Sequence, residues 1–266
     1  MAQPRRRIAL LMCGQMRLFD HPRVVGAFRD FVGALGCGSD GGTATIDLFV
    51  STWSDRGVSY NHGHPLHAHT ANNATITESD IRRVYEPTGV RIAGIKVRNY
   101  AEWRARLRPT YAAMEREGFV WNGMNIRGTM VPQLFTLWDA NMMRCSAGGQ
   151  THDLVIRIRP DLLYNLTHAG PLLVTPVVPN TVTGINSPAA GVFWPQRIYD
   201  IFFWGTAAAM DNVCDAYNNV EAAVAHPFNN GLHPRDACRI LYVQAALIGT
   251  LRVGEMAPVA SIYRAN

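Results

Sequence analysis

Apolar residues fall along this chain in two rhythms. Short unbroken apolar runs alternate with longer segments in which apolar residues return every third or fourth position. Ile8 to Met12 in RIALLMCGQMRLF and the run in IDLFVSTWSD carry little polar alternation, the pattern of strands buried on both faces. GVRIAGIKV reads as a third strand, and HDLVIRIRPDLLY as a fourth. Between them PRVVGAFRDFVGAL predicts a helix, and TESDIRRVYEP a shorter one with Thr77 as its N-cap. YAEWRARLRPTYAAMEREG predicts one or two short helices, with Pro109 as a boundary. MVPQLFTLWDANMMRCSA has a stronger helical period, with Met130, Leu134, Leu137 and Trp138, then Met142 on one side.

The second half is less regular. Residues 171–206, rich in Pro, Val, Thr and aromatics, suggest shorter strands ending in IYDIFFWG. TAAAMDNVCDAYNNVEAAVA predicts one helix, and PRDACRILYVQAALIGT another, opened by Pro234. No repeat and no linker interrupts the series. Strands alternating with helices, then a mixed half, predict a single α/β domain over residues 1–266, with a mixed, largely parallel sheet flanked by helices.

Composition changes this picture little. The 266 residues are 48% hydrophobic and 17% charged, which fits a chain that folds. The net charge is +5, and of 25 basic residues only Lys96 is a lysine. An arginine-favouring genome would produce that bias, and so would selection for phosphate or carboxylate partners, which guanidinium forks match. The longest basic run is Arg5-Arg6-Arg7 and no nucleic-acid-binding signature occurs, so no nucleic-acid partner is expected. Five scattered cysteines without a CxxC pair argue for a reducing compartment and against a zinc site. The opening PRRRIALLMCG lacks the length and cleavage site of a signal peptide. No apolar stretch reaches the about 20 residues that span a bilayer. The expectation is a soluble, cytoplasmic protein.

Candidate chemistry gathers where strands end, the place at which open α/β sheets bind ligands. Three predicted strand ends are polar: Gly14-Gln15-Met16-Arg17, Ser51 to Asp55, and Arg157-Ile158-Arg159-Pro160-Asp161. Strand alternation puts Val155, Arg157 and Arg159 on one side, as an anion clamp would require; a structural ion pair with a covering helix explains the same pattern. Arg17 follows a glycine turn where backbone N–H groups could meet an anion. Trp53 and Asp55 could face a nucleotide base, although core packing is the ordinary role of such a tryptophan. His62, His64, His67 and His69 in HGHPLHAH read as a loop rather than a metal site.

The ordered set ALLMCGQMRLF, DLFVSTWSD, a helix carrying Gln133, HDLVIRIRPDLLY and IYDIFFWGTAAAMD resembles bacterial and viral glycosyltransferase-like proteins. The resemblance covers residues 8–217 in spaced blocks. It implies a GT-A-like, Rossmann-related fold and an enzyme moving a sugar from a nucleotide-diphosphate donor to a glycan, glycoprotein or other hydroxyl acceptor. On that reading a nucleotide-binding half, residues 1–165, precedes an acceptor-side half, residues 166–266. Gly14, Gln15, Arg17, Trp53, Asp55, Arg157 and Arg159 would bind the nucleotide and its phosphates. Asp161 would hold a divalent Mn²⁺ or Mg²⁺ ion, a hard cation that takes carboxylates together with substrate phosphates. Asp200 would be the base that takes the acceptor's proton. No literal Asp-x-Asp occurs in the chain, which puts the metal in question. The alternatives are a non-catalytic nucleotide- or glycan-binding module and another phosphate-clamping transferase, such as a sulfotransferase. For the sulfotransferase, the glycine-rich phosphate loop expected after the first strand is missing.

Overall fold

The first apolar run becomes strand β1 (Arg6–Cys13), and its alternation sorts the core into two layers. Ile8, Leu10 and Met12 join one cluster of buried side chains, while Ala9, Leu11 and Cys13 join the other. The structure is a computed structural model. It describes residues 5–36, 43–55, 74–117, 119–121, 124–126, 130–147, 152–164, 177–185, 198, 200–227, 237–249, 251–256 and 260–262. The histidine tract and Pro234 lie outside them.

In chain order β1 is followed by α1 (Pro22–Ala34), β2 (Ala44–Trp53), α2 (Glu78–Tyr85) and β3 (Arg91–Arg98). Then come α3 (Tyr100–Ala105), α4 (Pro109–Glu117), the small strands β4 (Phe119–Trp121) and β5 (Met124–Ile126), and α5 (Met130–Ser146). The rest comprises β6 (Leu154–Ile158), β7 (Leu162–Tyr164), β8 (Thr181–Ile185), β9 (Phe203–Gly205), α6 (Ala207–Cys214), α7 (Val220–Ala225), α8 (Ala237–Tyr242), β10 (Arg252–Met256) and β11 (Ala260–Ile262). Seven strands form one sheet in the order β10-β8-β9-β6-β1-β2-β3. β1, β2, β3 and β6 run parallel, and β9 is antiparallel to both its neighbours. This is the expected single α/β domain with a mixed, largely parallel sheet flanked by helices. Among the described residues no helix is long and apolar enough to cross a membrane.

Local chemistry explains the helix boundaries. Thr77 caps α2 through a reciprocal capping box with Asp80. α5 spans nearly the whole segment that its period marked, and packs on β1, β2 and β3. One expectation fails. The single helix foreseen over residues 206–225 breaks into α6, a tight turn at Asp215–Tyr217, and α7. Asp215 accepts hydrogen bonds from the amides of Asn218 (2.6 Å) and Asn219 (2.9 Å), the side-chain competition that ends helices. The last helix is present over its described residues, with α8 continuing as a π-helix over Val243–Ile248, closed by Gly249 N–H donating to Gln244 O at 2.7 Å.

At the amino end of the sheet one buried carboxylate joins three elements. Asp47 on β2 accepts from Arg91 Nε (2.6 Å) and Nη2 (2.8 Å), pairs with His152 Nε2 at 3.0 Å, and lies 3.8 Å from Arg7. Burial alone would raise its pKa; the His152 hydrogen bond and the Arg91 fork outweigh burial and hold it well below the ordinary 3.8. The folded pKa is thus depressed. Its stabilisation is present above the unfolded carboxylate's pKa and is lost as pH falls through the folded value. Asp47→Asn should therefore destabilise the fold by about 1–3 kcal/mol at neutral pH, and the difference from the parent should shrink on acidification. Urea unfolding of both proteins across that range checks it; a constant difference would show that the Asp47 charge does not matter.

Candidate functional site

The chain starts in β1, steps to β2 and β3 on one side, and returns to the other side of β1 as β6. The carboxyl ends of β1 and β6 therefore flank the crevice where the strand order reverses, the usual ligand position in open α/β sheets. The antiparallel register pairs Arg157 with Phe203, so the start of β9 and Asp200 before it reach the same end.

Gly14 ends β1 with φ of 114°, a conformation that side chains with a Cβ rarely adopt. Its N–H donates to Ser51 O (3.3 Å) and its carbonyl accepts from Thr52 Oγ1 (2.8 Å), so the turn is tied to β2. A Cβ on Gly14 would meet nothing within 4 Å, so the backbone conformation, and not crowding, requires glycine there. Gln15 and Arg17 are both half-buried, and Gln15 Oε1 accepts from Arg17 Nε (3.1 Å) and Nη2 (2.8 Å).

The two arginines of RIRPD have separate environments. Arg157, in β6, is 3% exposed and donates to Ile201 O (2.8 Å) and Cys13 O (3.5 Å). Among the described residues its hydrogen-bond partners are these carbonyls. Arg159 lies past the end of β6, which stops at Ile158. Its Nε and Nη2 donate to the two oxygens of Asp161 at 2.9 and 2.8 Å. Burial works against the Arg159 charge, but Asp161 and then Asp200 outweigh it and push its pKa up. Both guanidinium groups also act on Cys13, whose thiol burial pushes up against their pull. Arg157, Arg159, Asp161, Asp200 and Cys13 thus form one electrostatic group.

Three expectations need correction. The arginines do not form a matched open clamp: one is sealed by carbonyls and the other is forked onto Asp161. Asp161, 2% exposed, does not stand free for a divalent ion, because Arg159 occupies both its oxygens. Among the described residues no group of three or more His, Cys, Asp or Glu side chains is placed to hold a metal. Trp53 does not face the crevice either. It is 3% exposed, stacks on Phe135 at 5.7 Å between centroids, and touches Tyr100 and Trp103 at 5.1 and 4.9 Å. A large ring on the α5 side of β2 buries more area there than at the mouth.

Asp55 is half-buried and pairs by backbone with Thr75 beyond the end of β2. Asp200 is half-buried and accepts a long contact from the Cys238 thiol at 3.4 Å. Cys13, a member of the group, and Cys238, which touches Asp200, were not among the candidate residues. Cys13 directly precedes Gly14, and a cysteine closing a strand beside a glycine turn was the available signal. Cys238 carries no local signature.

No protein-family model matches the chain, and no curated protein matches it at a significant level. Solved structures do align with it at low identity. One is a glycosyltransferase involved in the glycosylation of the major capsid of PBCV-1, with a TM-score of 0.39 and 8% identity over 96% of this chain and 83% of that one. Another is the glycosyltransferase GlyE of Streptococcus pneumoniae TIGR4, at 0.41 and 12% over 96% of this chain, which spans 45% of that protein. A third is the apo form of mouse xyloside xylosyltransferase 1, at 0.41 and 9% over 95% of this chain and 84% of that one. Likeness at this level carries no argument about what the present chain binds or does.

Proposed function

We propose that this chain is a glycosyltransferase that binds a nucleoside-diphosphate sugar in the crevice between β1 and β6. The observation that carries the reading is a buried, permanently charged Arg157 whose partners are two carbonyls, at the point where the strand order reverses. An anionic ligand reaching this end of the sheet would meet the guanidinium groups of Arg157 and Arg159. The ordered resemblance of the strand-end motifs to glycosyltransferase-like proteins points the same way.

The chemistry follows from the groups present. The acceptor oxygen forms the new bond to the sugar carbon, and the bond from that carbon to the diphosphate oxygen breaks with its electron pair. Negative charge grows on the leaving diphosphate, so cations fixed beforehand act most strongly in the transition state. Arg157 and Arg159 supply that charge, Arg159 by turning part of its fork from Asp161 to phosphate. Asp200, half-buried at the same end of the sheet, takes the acceptor's proton.

Two expected outcomes test this. Calorimetric titration with uridine and guanosine diphosphates should show binding of at least one, with chelator present. Arg159→Ala should weaken it by about 1.5–3 kcal/mol, the range for a charge-assisted hydrogen bond. A match between wild type and Arg159→Ala, or no binding by either nucleotide, sinks the reading. Asp200→Asn should leave nucleotide binding intact and slow sugar transfer by roughly 10²–10⁴-fold. Unchanged transfer would make Asp200 a turn residue.

A further inference from the structure

A second concavity, distinct from the crevice, opens beside the edge strand β3. It has a volume of about 540 Å³, within the range of small-molecule sites, and lies between β3, α3, α5 and the Asp215–Tyr217 turn. Four cations line it: Lys96, Arg98, Arg106 and Arg108. Two carboxylates, Glu102 and Asp139, face them.

Asp139 is already saturated. Its oxygens accept from Lys96 Nζ (3.1 Å), Arg98 Nε (3.1 Å), Arg98 Nη2 (2.8 Å) and Ser51 Oγ (2.9 Å). Burial would raise its pKa, but Arg98 and Lys96 hold it below the ordinary value, so it stays an anion shared by two cations. One carboxylate cannot neutralise two cations, and Arg106 and Arg108 add further positive charge. Arg108 lies over the Tyr111 ring at 4.3 Å and donates to its hydroxyl, a contact that brings no countercharge. The cleft is therefore electropositive, with Lys96 and Arg98 side chains 40% exposed to whatever enters.

The apolar part is aromatic, with Trp138 tilted 36° to Tyr217 and Phe135 set edge-on to Tyr217. Phe135, Trp138 and Tyr217 touch one another with centroids 5.9, 5.2 and 5.6 Å apart. Rings this close admit no guest between them, so a guest lies across their outer faces. Exposed aromatic faces with cations, the Glu102 carboxylate and the polar side chains of Asn99 and Ser146 around them suit a ring that is apolar on one face, carries hydroxyls at its edge and bears an anion. A saccharide with a carboxylate or phosphate substituent has that chemistry. A lipid tail would need an enclosed apolar channel, and the cleft is open and half polar.

We infer that this cleft binds an acidic saccharide, through the aromatic faces of Trp138 and Tyr217 and the cations Arg98, Arg106 and Arg108. Ser51 links it to the crevice: its hydroxyl donates to Asp139, and its carbonyl accepts from Gly14 N–H. Binding itself does not depend on the glycosyltransferase reading. The further role as anchor for an anionic acceptor does rest on it.

The test titrates the whole protein with an oligogalacturonide, its methyl ester, glucose 6-phosphate, inorganic phosphate and uridine diphosphate. The oligogalacturonide or the sugar phosphate should bind, and the neutral ester about tenfold more weakly or not at all. Arg106→Ala, at an exposed side chain with no described partner, and Trp138→Ala should each weaken binding several-fold, about the range of one ionic or stacking contact. Should Trp138→Ala fail to fold, Arg106→Ala and the ester comparison decide alone. Arg159→Ala should leave saccharide binding unchanged while weakening the nucleotide, which separates the two sites. Equal binding of acid and ester, wild-type binding by both variants, competition by uridine diphosphate or phosphate for the same cleft, or no binding by either acid overturns the inference. Saccharide binding without nucleotide binding would uphold it and overturn the reading of the crevice instead.

Discussion

A guanidinium does not shed its charge when buried, so a chain that places one inside must bring acceptors to it. Arg157 imposes that demand on this fold. Its acceptors are the carbonyls of Cys13 and Ile201, residues far apart in sequence, which fasten the end of β1 and the approach to β9 against β6. The glycine turn at residue 14 follows directly from a β1 terminus held in this way, and Thr52 and Ser51 fix its far side. Carbonyls satisfy the hydrogen-bonding of the cation and leave its charge. The Arg159–Asp161 fork and Asp200 lie around that charge and make with it a group of two cations and two carboxylates.

Much of the sheet was legible because strands buried on both faces must be apolar throughout. β1 and β2 appear in the sequence as largely apolar runs, β6 as one broken by Arg157, and β3 as a mixed edge strand, while α1 and α2 are opened by Pro22 and by the Thr77 cap and α5 shows as a sustained apolar period. What escaped was short or locally contested. β10 and β11 have five and three residues and too little period to register, and β7 was read as the continuation of the fourth strand, which instead ends at Ile158. The break between α6 and α7 is decided by Asp215 and two asparagines, a contest that a count of apolar positions does not see.

The site was legible as a place more than as a set of partners. Polar strand ends located the crevice, because topology converts a strand terminus into a position at one end of the sheet. Pairing is another matter: that Arg159 would fold back on Asp161 two residues away depends on the turn at Pro160, while Trp53 is decided by the aromatic rings of α3 and α5 that surround it. Asp139 was a quieter signal, a lone carboxylate in the apolar stretch LWDAN, and its cationic partners on β3 include the chain's single lysine.

Charge along β3 also bears on the company this sheet keeps. β3 ends the strand order among the described residues, so its outer backbone groups are a template on which another chain could pair. Arg91, Lys96 and Arg98 are borne on that strand, and their countercharges, Asp47 and Asp139, sit inward on β2 and α5. A second copy laid edge to edge would bring like charges together without bringing new carboxylates. The ion pairs that hold the edge in place thereby guard it against self-assembly into larger sheets.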